Sequence, residues 1–192
     1  MTTATDPGGP LRLAGRLTFA SGVLAALGVA FMVAMAASFA VGATSAAMAF
    51  GWTNDVLVMV SYLLTAPAVL ALVPLLRPRA PMLSAFVAAI GLLSIAGIVA
   101  LQLLLVIGVL TFEREIGPIS LVYIGLAVWF VVTGYLGRVA GVLPNGVRWG
   151  ILGATYVGYP IWAFRMGRLL RQGPARPERD RTIVITEGLR NV

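Results

Sequence analysis

From Met82 to Phe112 the chain reads MLSAFVAAIGLLSIAGIVALQLLLVIGVLTF, without one ionisable side chain. Its only side-chain hydrogen-bonding groups are Ser84, Ser94, Gln102 and Thr111. Coiled as a helix at ~1.5 Å per residue, the stretch would be roughly 45 Å long. The hydrocarbon core of a bilayer is about 30 Å thick, so the helix crosses with residues to spare. A helix on the surface of a water-soluble domain needs a polar face, and this run has none. The chain is therefore predicted to be built around a membrane.

The other apolar runs agree. Of 192 residues, 59% are hydrophobic and 11% charged, against about 25% charged in soluble domains. The expected fold class is all-α: a polytopic transmembrane helix bundle of about five apolar helices, four full spans and a short fifth. The length suits a single bundle over residues 17–171. A Thr-, Pro- and Gly-rich N-terminal tail (1–16) and a basic C-terminal tail (172–192) are expected to be disordered. The first run, Leu17–Phe50, is longer than the roughly 7–15 apolar residues of a signal peptide, and reads as an uncleaved span that bends or ends near Gly42–Ser45. In it Gly22, Ala26, Ala30, Ala34, Ser38, Gly42 and Ala46 recur at every fourth position, a spacing that lets helix backbones approach closely in lipid. Gly51-Trp52-Thr53-Asn54-Asp55 reads as a turn, with Thr53, Asn54 or Asp55 as the N-cap of a second span, Val56–Leu76. Pro67 breaks one backbone hydrogen bond there, and Ser61 or Thr65 is placed to re-satisfy the backbone. Glu113–Pro118 reads as a tight acidic loop before a fourth span, Ile119 to about Gly137, and Pro144-Asn145-Gly146 as a turn. The fifth run, Trp149–Phe164, is short and interrupted by Pro160. It is expected to cross as a kinked helix extended by snorkelling arginines, with Gly150, Ala154 and Gly158 as its docking stripe.

The basic residues are all arginine, fourteen of them, and most flank apolar runs, where charge sets topology. With the N-terminus inside, Arg12, Arg16, Arg77, Arg79, Arg138 and Arg148 all fall on the cytoplasmic face. A fifth crossing then puts Arg165, Arg168, Arg171 and the tail arginines outside, and the bias cancels. Three topologies remain open: an external basic tail, the inverted orientation, and a re-entrant fifth run that leaves both termini cytoplasmic.

The chain contains no Cys and no His. That removes disulfides and thiol redox chemistry, and with them the commonest general base and metal ligand. No cofactor and no enzyme activity is expected. Gln102, the one strongly polar side chain deep in a span, reads as an interhelical hydrogen bond or as a contact on a transport pathway. Asp55, Met59 and Tyr62 share one helix face, a capped helix end or the wall of a vestibule. Glu113 and Glu115 are spaced as a proton-sharing carboxylate pair, but with no other acid in a span to support them they read as solvated loop acids. Trp149, Tyr156, Tyr159 and Trp162 resemble an aromatic wall for a ligand, but Trp149, Tyr159 and Trp162 lie near the ends of the fifth run and read as interfacial anchors.

Thr133-Gly134-Tyr135-Leu136-Gly137-Arg138, Gly141-Val142-Leu143-Pro144 and Gly158-Tyr159-Pro160-Ile161-Trp162-Ala163 together resemble a group of small bacterial multispanning integral membrane proteins with no assigned activity. The resemblance implies a similar bundle in a bacterial inner membrane and carries over no chemistry. The functional expectation is a non-enzymatic structural or accessory bundle, with a small-molecule or ion transporter or channel using Gln102 as the alternative. Expected partners are the lipid bilayer, a second copy or another membrane protein, and anionic lipid at Arg165, Arg168 and Arg171. No nucleic acid is expected.

Overall fold

A computed structural model describes residues 9–143 and 145–172; the expected C-terminal tail beyond Gln172 lies outside the described residues. Six helices are present and, among the described residues, no strand. They are α1 (Gly9–Ala40), α2 (Thr44–Leu76), α3 (Pro81–Val106), α4 (Phe112–Val139), α5 (Gly146–Gly153) and α6 (Tyr159–Gln172). The first four are each long and apolar enough to cross a membrane. The expected all-helical bundle with four long spans is what the chain forms.

Glycine ends α1, α3 and α4. Gly42, Gly108 and Gly141 adopt φ of +75°, +75° and +72°, left-handed backbone that a Cβ penalises. At each, the following N–H reaches back five residues, as in Ala43 N to Ser38 O, Val109 N to Leu104 O and Val142 N to Gly137 O. These are Schellman endings, which satisfy carbonyls a helix end would leave bare. The expected bend near Gly42 is thus a true helix end.

Several boundaries differ from the sequence reading, all towards more helix. Residues 9–16, expected as tail, form the first turns of α1. Residues 51–55 are not a turn: α2 continues through them from Thr44, and the Thr53 hydroxyl donates to the Ala49 carbonyl at 2.9 Å instead of capping. The acidic loop at 113–118 is the start of α4. In apolar surroundings a backbone without water keeps its hydrogen bonds within the helix, which outweighs local turn chemistry. Ser61 and Thr65 do not repair the Pro67 gap; their hydroxyls donate to the Val58 and Ser61 carbonyls.

The helices form a closed ring in which α1 packs on α2, α2 on α3, α3 on α4, α4 on α5, α5 on α6 and α6 back on α1. The fifth apolar run is not one helix. Gly146 lies against Gly134, and Gly150 against the Phe130 carbonyl, so α5 runs antiparallel to α4. After a bend at residues 154–158, α6 turns back along α1: Tyr159 meets Ser21, Ala163 and Phe164 meet Gly22, and Gly167 meets Gly15. Both ends of this hairpin therefore sit at the end of the bundle that holds the start of α1. From Gly15 to Gly28, which faces Tyr156 at the bend, α1 rises about 20 Å. The hairpin enters more than halfway and leaves where it came in, where the sequence suggested a crossing.

Close backbone approach is what the glycines of these seams provide. The small face of α1 that becomes buried is Ala14, Gly15, Thr18, Ser21, Gly22, Ala25 and Gly28. The every-fourth-residue series is not the packing face: beyond Gly22 its members Ala26, Ala30 and Gly42 are exposed, because a spacing of four drifts around a 3.6-residue helix. On α5 the buried small residues are Gly146, Gly150 and Gly153, whereas Ala154 of the expected stripe is exposed.

Candidate intramembrane site

The hairpin is pinned by hydroxyls. Ser21 of α1 donates to the Ser61 carbonyl at 2.7 Å and lies 3.0 Å from the Thr65 hydroxyl. The Tyr159 hydroxyl, at the start of α6, sits 2.5 Å from Ser21 Oγ and also bonds Thr65. All four residues are buried, and in apolar surroundings hydroxyls need such partners. One tyrosine thereby ties α6 to both α1 and α2.

Aromatic rings extend from this knot. Tyr62 packs on Tyr159 with ring centroids 4.8 Å apart and on Tyr123 at 5.9 Å. Phe130 and Trp162 meet edge to face at 4.6 Å, and Trp129 adjoins both. Tyr159 and Trp162 are buried core side chains, so neither is an interfacial anchor. The small residues opposite them draw these rings inward: Gly91 lies against Trp129, and Gly153 against Phe130 and Trp162.

At the bend of the hairpin a cavity of about 220 Å³ opens, lined by Tyr62, Tyr123, Phe130 and Tyr156, with Leu126, Ala127, Gly153 and Ala154 completing its wall. The hairpin alone closes the ring between α1 and α4, at the end that holds the start of α1, and those two helices make no contact with each other. Tyr156 is held by its hydroxyl, which donates to Asn54 Oδ1 at 2.5 Å.

Three polar side chains gather at the end of the bundle beyond the bend. Asp55 follows Asn54 on α2 and lies within electrostatic range of Tyr123, Tyr156 and Glu115. Glu115 is 2% exposed and its Oε1 has no hydrogen-bond partner. Gln102 is also buried, and its Oε1 is likewise unpartnered, so the interhelical bond expected of it is not made through that atom. Helix register places Gln102 at this same level, since Trp52 Nε1 reaches the Val106 carbonyl at 3.4 Å and Gly97 faces Val122.

Of the residues singled out from sequence, Tyr62 lines the cavity. Asp55, inside α2 and not at a cap, and Gln102 belong with Glu115 to the polar layer, and none of the three is among the cavity's lining residues. Sequence reasoning set Glu115 aside as a loop acid and Tyr159 as an anchor, named Tyr156 only within an aromatic wall, and gave Tyr123 no role. For Glu115 a signal was present: Glu115, Ile119, Val122 and Leu126 continue one helical face at steps of four, three and four, but Pro118 suggested a loop.

The fold and this buried polar layer define a polytopic helical bundle of the membrane-embedded class. No family model matches the chain, and neither the curated proteins nor the solved structures include a match to it.

Proposed function

We propose that the protein is a multispanning cell-membrane protein, of the transporter class, that takes a small organic cation into the cavity at the hairpin bend. The observation that carries this reading is Glu115, a carboxylate buried at a helix start with an unpartnered oxygen and within electrostatic range of a second acid, Asp55. Ionisable side chains within membrane helices are expensive and mark ion or substrate pathways. Aromatic walls favour a cation through ring quadrupoles, the recognition used for quaternary ammonium groups. A hard metal ion fits less well. It needs six or more oxygen ligands, and no group of three or more His, Cys, Asp or Glu comes together among the described residues. The cavity is smaller than the about 300–1,000 Å³ of drug-sized sites, which restricts the occupant to a small ion.

Charge supports one orientation. Nine of the ten arginines among the described residues lie at or near the end where the hairpin enters; Arg114 is the tenth. With the hairpin re-entrant, the balanced count of the five-crossing topology disappears, and the arginine-rich end faces the cytoplasm. The acidic layer then faces outward, as suits cation entry. In a bacterium this is the inner membrane.

The structural or accessory bundle remains the second reading, favoured by Gln102, Asp55 and Glu115 all standing outside the cavity wall. Proteoliposomes loaded with tetramethylammonium separate the two. The transporter reading expects efflux well above that of empty-lipid vesicles and its loss in Glu115→Gln, with the fold retained. Efflux no faster than from vesicles without protein removes the transport reading and leaves the accessory one.

A further inference from the structure

We infer that the groove between α1 and α6 at the arginine-rich end binds an anionic phospholipid, its phosphate held by Arg165 and Arg168 and its acyl chain laid over Phe19, Ile161 and Phe164. The groove has a volume of about 300 Å³ and is lined by those five residues. Its floor is apolar and open: Ile161 is 48% exposed, and the rings of Phe19 and Phe164 touch at 5.0 Å. Its mouth is cationic. Gly167 packs on Gly15, so Arg168 stands near the level of Arg12 and Arg16, where headgroups lie, and Arg165 is about one turn deeper.

The three arginines of α6 are not equivalent. Arg171 is committed to the helix contact: its Nε donates to the Gly167 carbonyl at 3.2 Å, and its guanidinium lies 4.7 Å from the centre of the Phe19 ring. Arg165 rests over the Trp149 ring at 4.9 Å and is exposed. Arg168 is exposed. Asp55, Glu113 and Glu115, the acids among the described residues, all belong to the opposite end of the bundle, so none competes for these two cations. A planar guanidinium suits bidentate phosphate binding. The joined apolar floor and its position at the headgroup level select a lipid over a free anion. The three-arginine lipid contact expected from the sequence thus becomes a two-arginine site with a defined acyl-chain floor.

Native mass spectrometry of the full chain, released from micelles holding equal phosphatidylglycerol and phosphatidylcholine, tests this. At the strength usual for an arginine near a membrane surface, two give a preference for phosphatidylglycerol of about 30-fold. Arg165→Gln with Arg168→Gln is expected to bring the ratio close to one, and Arg168→Gln alone to cut it about fivefold. Arg148→Gln, at the same end but outside the groove, leaves the preference unchanged. Equal retention of both lipids by the native chain overturns the inference whatever the variants do. Displacement of phosphatidylglycerol by inorganic phosphate, or an undiminished preference in the double variant, overturns it as well.

Discussion

Replacing Gly134 by alanine places one methyl group in the seam that holds α5 against α4. The new Cβ would meet the Gly146 carbonyl oxygen, with Gly146 C at 2.9 Å and Gly150 Cα at 3.2 Å. All are backbone atoms, so no side chain can swing away, and α5 must move outward by on the order of 1 Å. A gap of 0.5–1 Å already forfeits a quarter to a half of the dispersion energy of the atoms it separates. Overpacking of this kind costs about 1–3 kcal/mol, and the rigidity of the neighbours argues for the upper half. Alanine gains up to ~1 kcal/mol over glycine in a helix, leaving a net loss of roughly 1–2 kcal/mol. Gly117→Ala is the control: it lies in the same helix and its added Cβ meets nothing within 4 Å beyond its chain neighbours. There the helix gain of up to ~1 kcal/mol is offset only by the crowding that Pro118 imposes on a preceding Cβ, so the change in stability is small, within about 1 kcal/mol. Equilibrium unfolding in mixed micelles, followed by tryptophan fluorescence, compares the two. If both variants shift the midpoint equally and in the same direction, the packing of α5 on α4 is wrong.

Two further substitutions probe the buried polar groups. Gln102→Leu is expected to raise stability by about 1 kcal/mol, because it removes a buried oxygen without a partner; a loss of stability in the same unfolding assay would mean that the amide is bonded. Tyr159→Phe removes the hydroxyl shared by Ser21 and Thr65 while both keep the Ser61 carbonyl. At about 0.6 kcal/mol per membrane hydrogen bond, the expected loss is about 1 kcal/mol, and a loss above ~3 kcal/mol would show that the hydroxyl does more than join three helices.

The membrane bundle was legible in the sequence because the uncharged Met82–Phe112 run allows little else. The glycine stop at 42 was legible for a similar reason, since left-handed backbone favours one residue type; the one at 141 was not, and the fourth span was expected to end early, at about Gly137. Turn chemistry misled at 51–55 and 113–118. Asn, Asp, Gly and Pro mark turns where water can satisfy the backbone, and inside an apolar bundle the helix simply continues. The hairpin was the hardest part to read. Gly158-Tyr159-Pro160 was recognisable as an interruption, but whether a broken run crosses or returns depends on what it packs against. That partner is the Gly15–Gly28 face of α1, more than a hundred residues away. The site suffered the same way: Glu115, Tyr123 and Tyr156 come together only once the bend has placed Tyr156 against Asn54.

The re-entrant hairpin underlies the cavity, the orientation and the lipid groove alike. Cysteine accessibility tests it directly, since the native chain has no cysteine to remove. Gly9→Cys, Ser45→Cys and Gln172→Cys, all at exposed positions, are exposed in turn to an impermeant thiol reagent in intact cells. The account predicts labelling at Ser45→Cys alone, with Gly9→Cys and Gln172→Cys reacting only after permeabilisation. Labelling of Gln172→Cys but not Gly9→Cys in intact cells would put the two ends of the bundle on opposite faces, and the fifth apolar run would have to cross the membrane.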